Sequence, residues 1–95
     1  MTVTWTLRGY DRRTEFVGDE ISIPKARLRI VRGIVPPRED DPTYVDPVGV
    51  SADQAVRLAV ALGVVVKPEC FDYFVESEVD TATFVAAREA RLARA

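Results

Sequence analysis

Between Phe71 and Val79 the side chains divide cleanly: Phe71, Tyr73, Val75 and Val79 on one side, Asp72, Phe74, Glu76 and Glu78 on the other. Successive residues of a strand point to opposite faces, so this period of two marks a half-buried strand. Its backbone groups need neighbouring strands and its apolar face needs a cover, so the run commits the chain to a sheet with something packed on it. Val3, Trp5 and Leu7 alternate with Thr4, Thr6 and Arg8 in the same way. Across the polar connection Asp11-Arg12-Arg13-Thr14, the residues Phe16, Val17, Ile21 and Ile23 form a second extended segment, with Gly18-Asp19 as a bulge or kink. The two predict an amino-terminal β-hairpin.

The covering elements are read from period and punctuation. Pro24 suits the first turn of a helix, and Ala26, Ile30, Val31 and Ile34 make a helical stripe over residues 25–34. Arg27-Leu28-Arg29-Ile30 also alternates as a strand would, and Leu28 falls off the stripe. Residues 35–49 carry Pro36-Pro37, Asp41-Pro42 and Asp46-Pro47, a long irregular segment of the kind that often binds. A short strand leads into Ser51-Ala52-Asp53-Gln54, which has the spacing of a capping box. The helix it opens runs through Ala55, Val56, Ala59 and Val60 to a C′ glycine, Gly63. Asp80 or Thr81 caps a last helix through Phe84, Val85, Arg88 and Leu92. The order β-β-α-β-α-β-α over residues 1–95 predicts a small single-domain α+β sandwich, an antiparallel sheet of three to four strands with helices on one face.

The available chemistry is narrow. The chain has no histidine and one cysteine, Cys70, which removes the usual proton shuttle, the commonest transition-metal ligands and any intrachain disulfide. Glu69 and Asp72 beside Cys70 oppose thiolate formation, so it reads as a packing residue. Ser51 has no histidine to activate it, and the five glycines form no phosphate-cradling motif. Glu76 and Glu78 lie about 7 Å apart on one strand face, a spacing open to acid–base chemistry but also ordinary for a solvated face. Glu39-Asp40-Asp41 with Asp46 offer oxygen ligands, without the EF-hand spacing or its central glycine. No enzyme activity, metal or cofactor is expected.

Charge points to binding instead. Residues 1–38 hold eight basic and four acidic side chains, net +4; residues 39–80 hold two and ten, net −8; residues 81–95 hold three and one, net +2. Basic residues with Trp5, Tyr10 and Phe16 would suit nucleic acid, but the chain is acidic overall, with a pI near 5.1, against the basic footprint of such proteins. The acidic block is the better candidate. Glu39, Asp40, Asp41, Asp46, Asp72, Glu76 and Glu78, with Tyr44 and Phe74 among them, combine steering charges with aromatic anchors and fit a basic protein partner. Phe74 is the most telling, a large apolar group on the otherwise acidic face of its strand. No membrane-length apolar run and no basic leader before Trp5 predict a cytoplasmic chain, and frequent Arg, Ala and Val with only Lys25 and Lys67 suggest a GC-rich bacterial source.

Four segments carry a resemblance: Trp5-Thr6-Leu7-Arg8-Gly9-Tyr10-Asp11; Asp41-Pro42-Thr43-Tyr44; Val50-Ser51 with Gln54-Ala55; and Phe71-Asp72-Tyr73-Phe74-Val75-Glu76. Over residues 5–76 the chain resembles a family of small bacterial domains of unknown function. It is similar to the small acidic immunity proteins of polymorphic or contact-dependent toxin systems, although residues 1–38 depart from their uniform acidity. The resemblance implies an immunity-type inhibitor whose acidic stripe occludes the basic groove of a toxin such as a nuclease, and it carries over no catalytic residues. The other classes are a housekeeping or regulatory domain, homodimeric through the edge of the Phe71–Val79 strand, and a small enzyme using Glu76 and Glu78.

Overall fold

The computed structural model describes residues 3–79. Strand β1 (Val3–Asp11) turns back into β2 (Val17–Ile23), and a 3₁₀ turn over Lys25–Arg27 leads into helix α1 (Leu28–Ile34). Strand β3 (Val48–Val50), helix α2 (Ala52–Leu62) and strand β4 (Phe71–Val79) follow. The four strands form one antiparallel sheet in the order β2-β1-β4-β3. The α+β class and the element order expected from the sequence are therefore present through β4; the helix expected after Asp80 lies outside the described residues.

The hairpin forms where the period predicted it. Asp11 Oδ1 accepts from the backbone N–H of Arg13 at 2.7 Å and Thr14 at 3.1 Å, which folds the connection back on itself. Gly9 pairs with Asp19 and Tyr10 with Val17, so Gly18 is the extra residue of a bulge. Both glycines make room for aromatic rings: a Cβ on Gly9 would lie 2.8 Å from Tyr73 Cε1, and one on Gly18 would clash with Phe71 Cε1. Phe71 and Tyr73 then meet edge to face at 6.1 Å over the hairpin.

Leu7, Ile23, Tyr73 and Val75 on one sheet face pack with Leu28 and Val31 of α1, Ala55 and Leu58 of α2, and Val35 and Tyr44 of the following loop. Trp5 lies half-buried at the margin of this core and donates from Nε1 to the Thr43 carbonyl at 3.2 Å. The helices keep their expected positions and part of their expected faces: Val31 and Ala55 are buried as the stripes predicted, and Ile34 packs against the core. The 3₁₀ opening turn, with three residues per turn, shifts the phase of α1 so that Leu28 and Val31 face the sheet and Ile30 faces out. In α2 the buried pair is Ala55 and Leu58, while Val56 and Val60 are exposed. Apolar residues occur nearly all round that helix, and the leucine buries more area than either valine.

Local signals at the ends of α2 are realised closely. Ser51 Oγ accepts from Gln54 N at 3.1 Å while Gln54 Oε1 accepts from Ser51 N at 2.9 Å, the reciprocal capping box. At the other end Gly63 is left-handed at φ 66°, with Gly63 N bonded to Val60 O and Val64 N to Ala59 O, a Schellman motif. Gln54 Nε2 also donates to Ile34 O at 3.1 Å, joining the start of α2 to the end of α1.

Candidate functional site

Residues directly opposite each other on antiparallel strands share a face. The register of β1 with β4 sets Thr4 against Glu78, Thr6 against Glu76, Arg8 against Phe74 and Tyr10 against Asp72, and β2 adds Glu20 opposite Arg8. The sheet face away from α1 and α2 thus gathers polar groups that the sequence separates by nearly seventy residues.

Arg8 is the centre of this face. Its Nη1 donates to Glu76 Oε1 and its Nη2 to Glu78 Oε1, while Nε lies 3.0 Å from Glu20 Oε1 as an ion pair too poorly aligned for a hydrogen bond. Glu76 is 6% exposed, and its second oxygen accepts from the Tyr10 hydroxyl at 3.3 Å. Burial alone would lower the Arg8 pKa, but the hydrogen bond to Glu78 and the charges of Glu76, Glu78 and Glu20 outweigh it and hold the guanidinium pKa above its ordinary value. Burial, then the negative charge of Glu76, pushes the Tyr10 phenol up. Arg8 thus engages one oxygen of each carboxylate of the Glu76/Glu78 pair. Among the described residues no cluster of three or more Cys, Asp or Glu is arranged to hold a metal ion, and no helix is long and apolar enough to cross a membrane.

Beside this network the face opens into a cleft of about 380 Å³ lined by Tyr10, Asp11, Arg12, Glu15, Pro47, Asp72 and Phe74. Tyr10 and Phe74 meet edge to face at 5.6 Å and 80°. Gly49 stands opposite Phe74 on β3 and leaves that flank of the ring without a covering side chain. Pro47, two residues earlier, brings the acidic loop to the rim. Arg12 spans the other side, its Nε 3.0 Å from Asp72 Oδ1 and its Nη2 donating to Pro68 O at 2.8 Å.

The structure separates the expected site residues into two groups. Asp72, Phe74, Glu76 and Glu78 do share one face, and Glu39, Asp40 and Asp46 are exposed on the loop. Three roles need correction. Tyr44, expected as a surface anchor, is fully buried: its hydroxyl donates to Val35 O at 2.6 Å and its carbonyl accepts from Ser77 N and Oγ, each at 2.9 Å. These bonds hold it at φ 57°, in the left-handed region. Glu76 is an internal counterion of Arg8, not a free surface charge. Asp41 organises the loop, its carboxylate accepting from Val45 N at 3.0 Å and Asp46 N at 2.8 Å. The Phe71–Val79 strand is not an outermost strand: β1 pairs along its whole length and β3 pairs with Tyr73–Val75 on its other side.

Sequence reasoning missed Arg8, Asp11, Arg12, Glu15 and Pro47, and it weighed Tyr10 only as a stacking aromatic for nucleic acid. Arg8 was legible as part of the polar face of β1, but no local signal pairs it with Glu76.

An open antiparallel sheet with helices on one face and a charged, aromatic cleft on the other defines a small α+β domain. The chain belongs to a family described as a domain of unknown function, DUF7683, whose model matches residues 4–76. No curated protein and no solved structure matches it.

Proposed function

We propose that this chain is a non-catalytic, cytoplasmic protein-binding module for a basic protein, and that the particular form of this role is an immunity-type inhibitor that covers the basic groove of a toxin. The observation that carries the reading is Phe74, half-buried in an open cleft whose rim bears Asp11, Glu15 and the Arg12–Asp72 ion pair, three acids against one base. An aromatic group inside an acidic rim suits an interface in which charge steers encounter and the desolvated ring holds the complex. Beyond the cleft lie the exposed acids Glu39, Asp40, Asp46 and Glu78, of which Asp40 and Asp46 share the single cation Arg38 at 3.5 and 3.8 Å and Glu78 shares Arg8. Tyr44, Glu76 and Asp41 support the surface from within and make no part of the contact.

The test begins with the basic protein captured by the full chain from its own cells, followed by association kinetics at two salt concentrations. Charge reversal to lysine at Glu39, Asp40 and Asp46 should slow association and flatten its salt dependence. Phe74→Ala should act mainly on dissociation. Unchanged rates in both variants, with the fold verified by circular dichroism, would remove this surface. A toxin-sized reading frame adjoining the gene supports the immunity form, and its absence counts against it.

A further inference from the structure

We propose that the Tyr10–Phe74 cleft receives one arginine side chain of the basic partner, its guanidinium against the aromatic wall and its charge met by Asp11 and Glu15. This rests on the reading of the chain as a binder of a basic protein and adds the chemistry that the site selects. The walls are Tyr10, Phe74 and Pro47, and a cation against an aromatic face is attracted by the ring quadrupole. At about 380 Å³ the cleft is at the lower end of ligand-pocket sizes, about 300–1,000 Å³, which suits one side chain and not a helix or strand.

The charge count leaves room for one incoming cation. Arg12, the cleft's own cation, is committed to Asp72 at 3.0 Å and to Pro68 O at 2.8 Å. Asp11 and Glu15 make no salt bridge among the described residues, and the neighbouring Arg13 acts on Asp11 only through its longer-range charge. The N–H groups of Arg13 and Thr14 hold the Asp11 carboxyl below its ordinary pKa, so it is ionised at neutral pH. Glu15 sits at φ 64°, a backbone state in which glycine would be free of strain. A carboxylate is therefore held at the rim against a conformational cost, a pattern associated with binding sites. Arginine fits better than lysine because its flat guanidinium stacks on rings, forks to carboxylates and is more weakly hydrated, so it leaves water more readily for an apolar wall.

The experiment titrates the isotopically labelled full chain with acetyl-Gly-Arg-Gly-amide and with its lysine and citrulline counterparts, read by amide shifts in NMR. The arginine peptide should move the amides of Tyr10–Glu15 and Asp72–Phe74, and the citrulline peptide, flat but uncharged, should bind about tenfold more weakly. Phe74→Ala should weaken arginine binding about three- to tenfold, and Glu15→Gly about two- to fivefold with the fold intact. Equal binding of citrulline, or shifts lying outside the cleft, would overturn the inference. A cleft that ignores arginine while the basic partner still associates with salt-steered kinetics refutes this assignment and leaves the broader reading standing. Arginine binding without such kinetics does the reverse.

Discussion

Replacing Arg8 by methionine keeps most of the side chain's bulk and removes its charge, and the consequence differs for each carboxylate around it. Glu20 and Glu78 have side chains 57% and 49% exposed, so water screens them and each lost pair costs about 0–1 kcal/mol. The Glu76 side chain is 8% exposed and would keep only the Tyr10 hydroxyl at 3.3 Å. A buried carboxylate stripped of its counterion costs about 3–5 kcal/mol, so Arg8→Met should lose about that much, with Glu76 responsible for most of it. Glu76→Gln should be milder, about 1–3 kcal/mol, since Arg8 retains Glu20 and Glu78 and the amide retains hydrogen-bonding capacity. The double variant Arg8→Met/Glu76→Met should recover most of the loss, because an apolar pair replaces a buried ion pair with little net change. Urea denaturation at one pH of the wild type, Arg8→Met, Glu76→Met and the double variant, analysed as a double-mutant cycle, measures the coupling, with Glu76→Gln run beside them. Refutation is specific: an Arg8→Met loss below about 1 kcal/mol, or a double variant no better than Arg8→Met, would mean that Glu76 is not held as a buried counterion.

Three further outcomes follow from individual positions. Gly9→Ala should destabilise by about 1–3 kcal/mol, because the new methyl meets Tyr73 Cε1 at 2.8 Å and the Cβ atoms of Phe71 and Asp19 at 3.1 and 3.2 Å. Gly33→Ala, with nothing within 4 Å, should instead stabilise α1 by about 0.5–1 kcal/mol, and thermal melts of the pair check the contrast in sign. The Tyr73 hydroxyl donates to Asp19 at 2.7 Å and accepts from Lys67 N at 3.0 Å; burial, the largest cause, pushes its pKa from 10.0 up to about 12. The native state therefore favours the protonated phenol, so this contribution is complete below pH 10.0 and is lost as the pH rises through about 12. Tyr73→Phe should be less stable near neutrality by about 1–2 kcal/mol and show a flatter fall over that alkaline range in urea titrations. Parallel curves for the two proteins would refute the assignment.

Features that the sequence determined by itself are those whose partners lie a few residues away. Ser51 finds Gln54 three positions on, Gly63 ends α2 where its left-handed backbone is needed, Gly18 absorbs the bulge, and the period of two marks β1 and β4. Such features depend on local dihedral and hydrogen-bonding preferences, which travel with the chain. Tertiary structure alone decided the face each short helix buries, since the apolar residues of α1 and α2 allow more than one phase and the sheet selects Leu28, Val31, Ala55 and Leu58. It also decided that Tyr44 lies inside, through carbonyls and amides of Val35 and Ser77 that no local pattern couples to it. The site is the clearest case. Arg8 and Glu76 carry opposite charges sixty-eight positions apart, and only the β1–β4 register makes them neighbours. A carboxylate written as one of a row of surface acids becomes a buried counterion, because burial and pairing are properties of the folded neighbourhood and not of residue type.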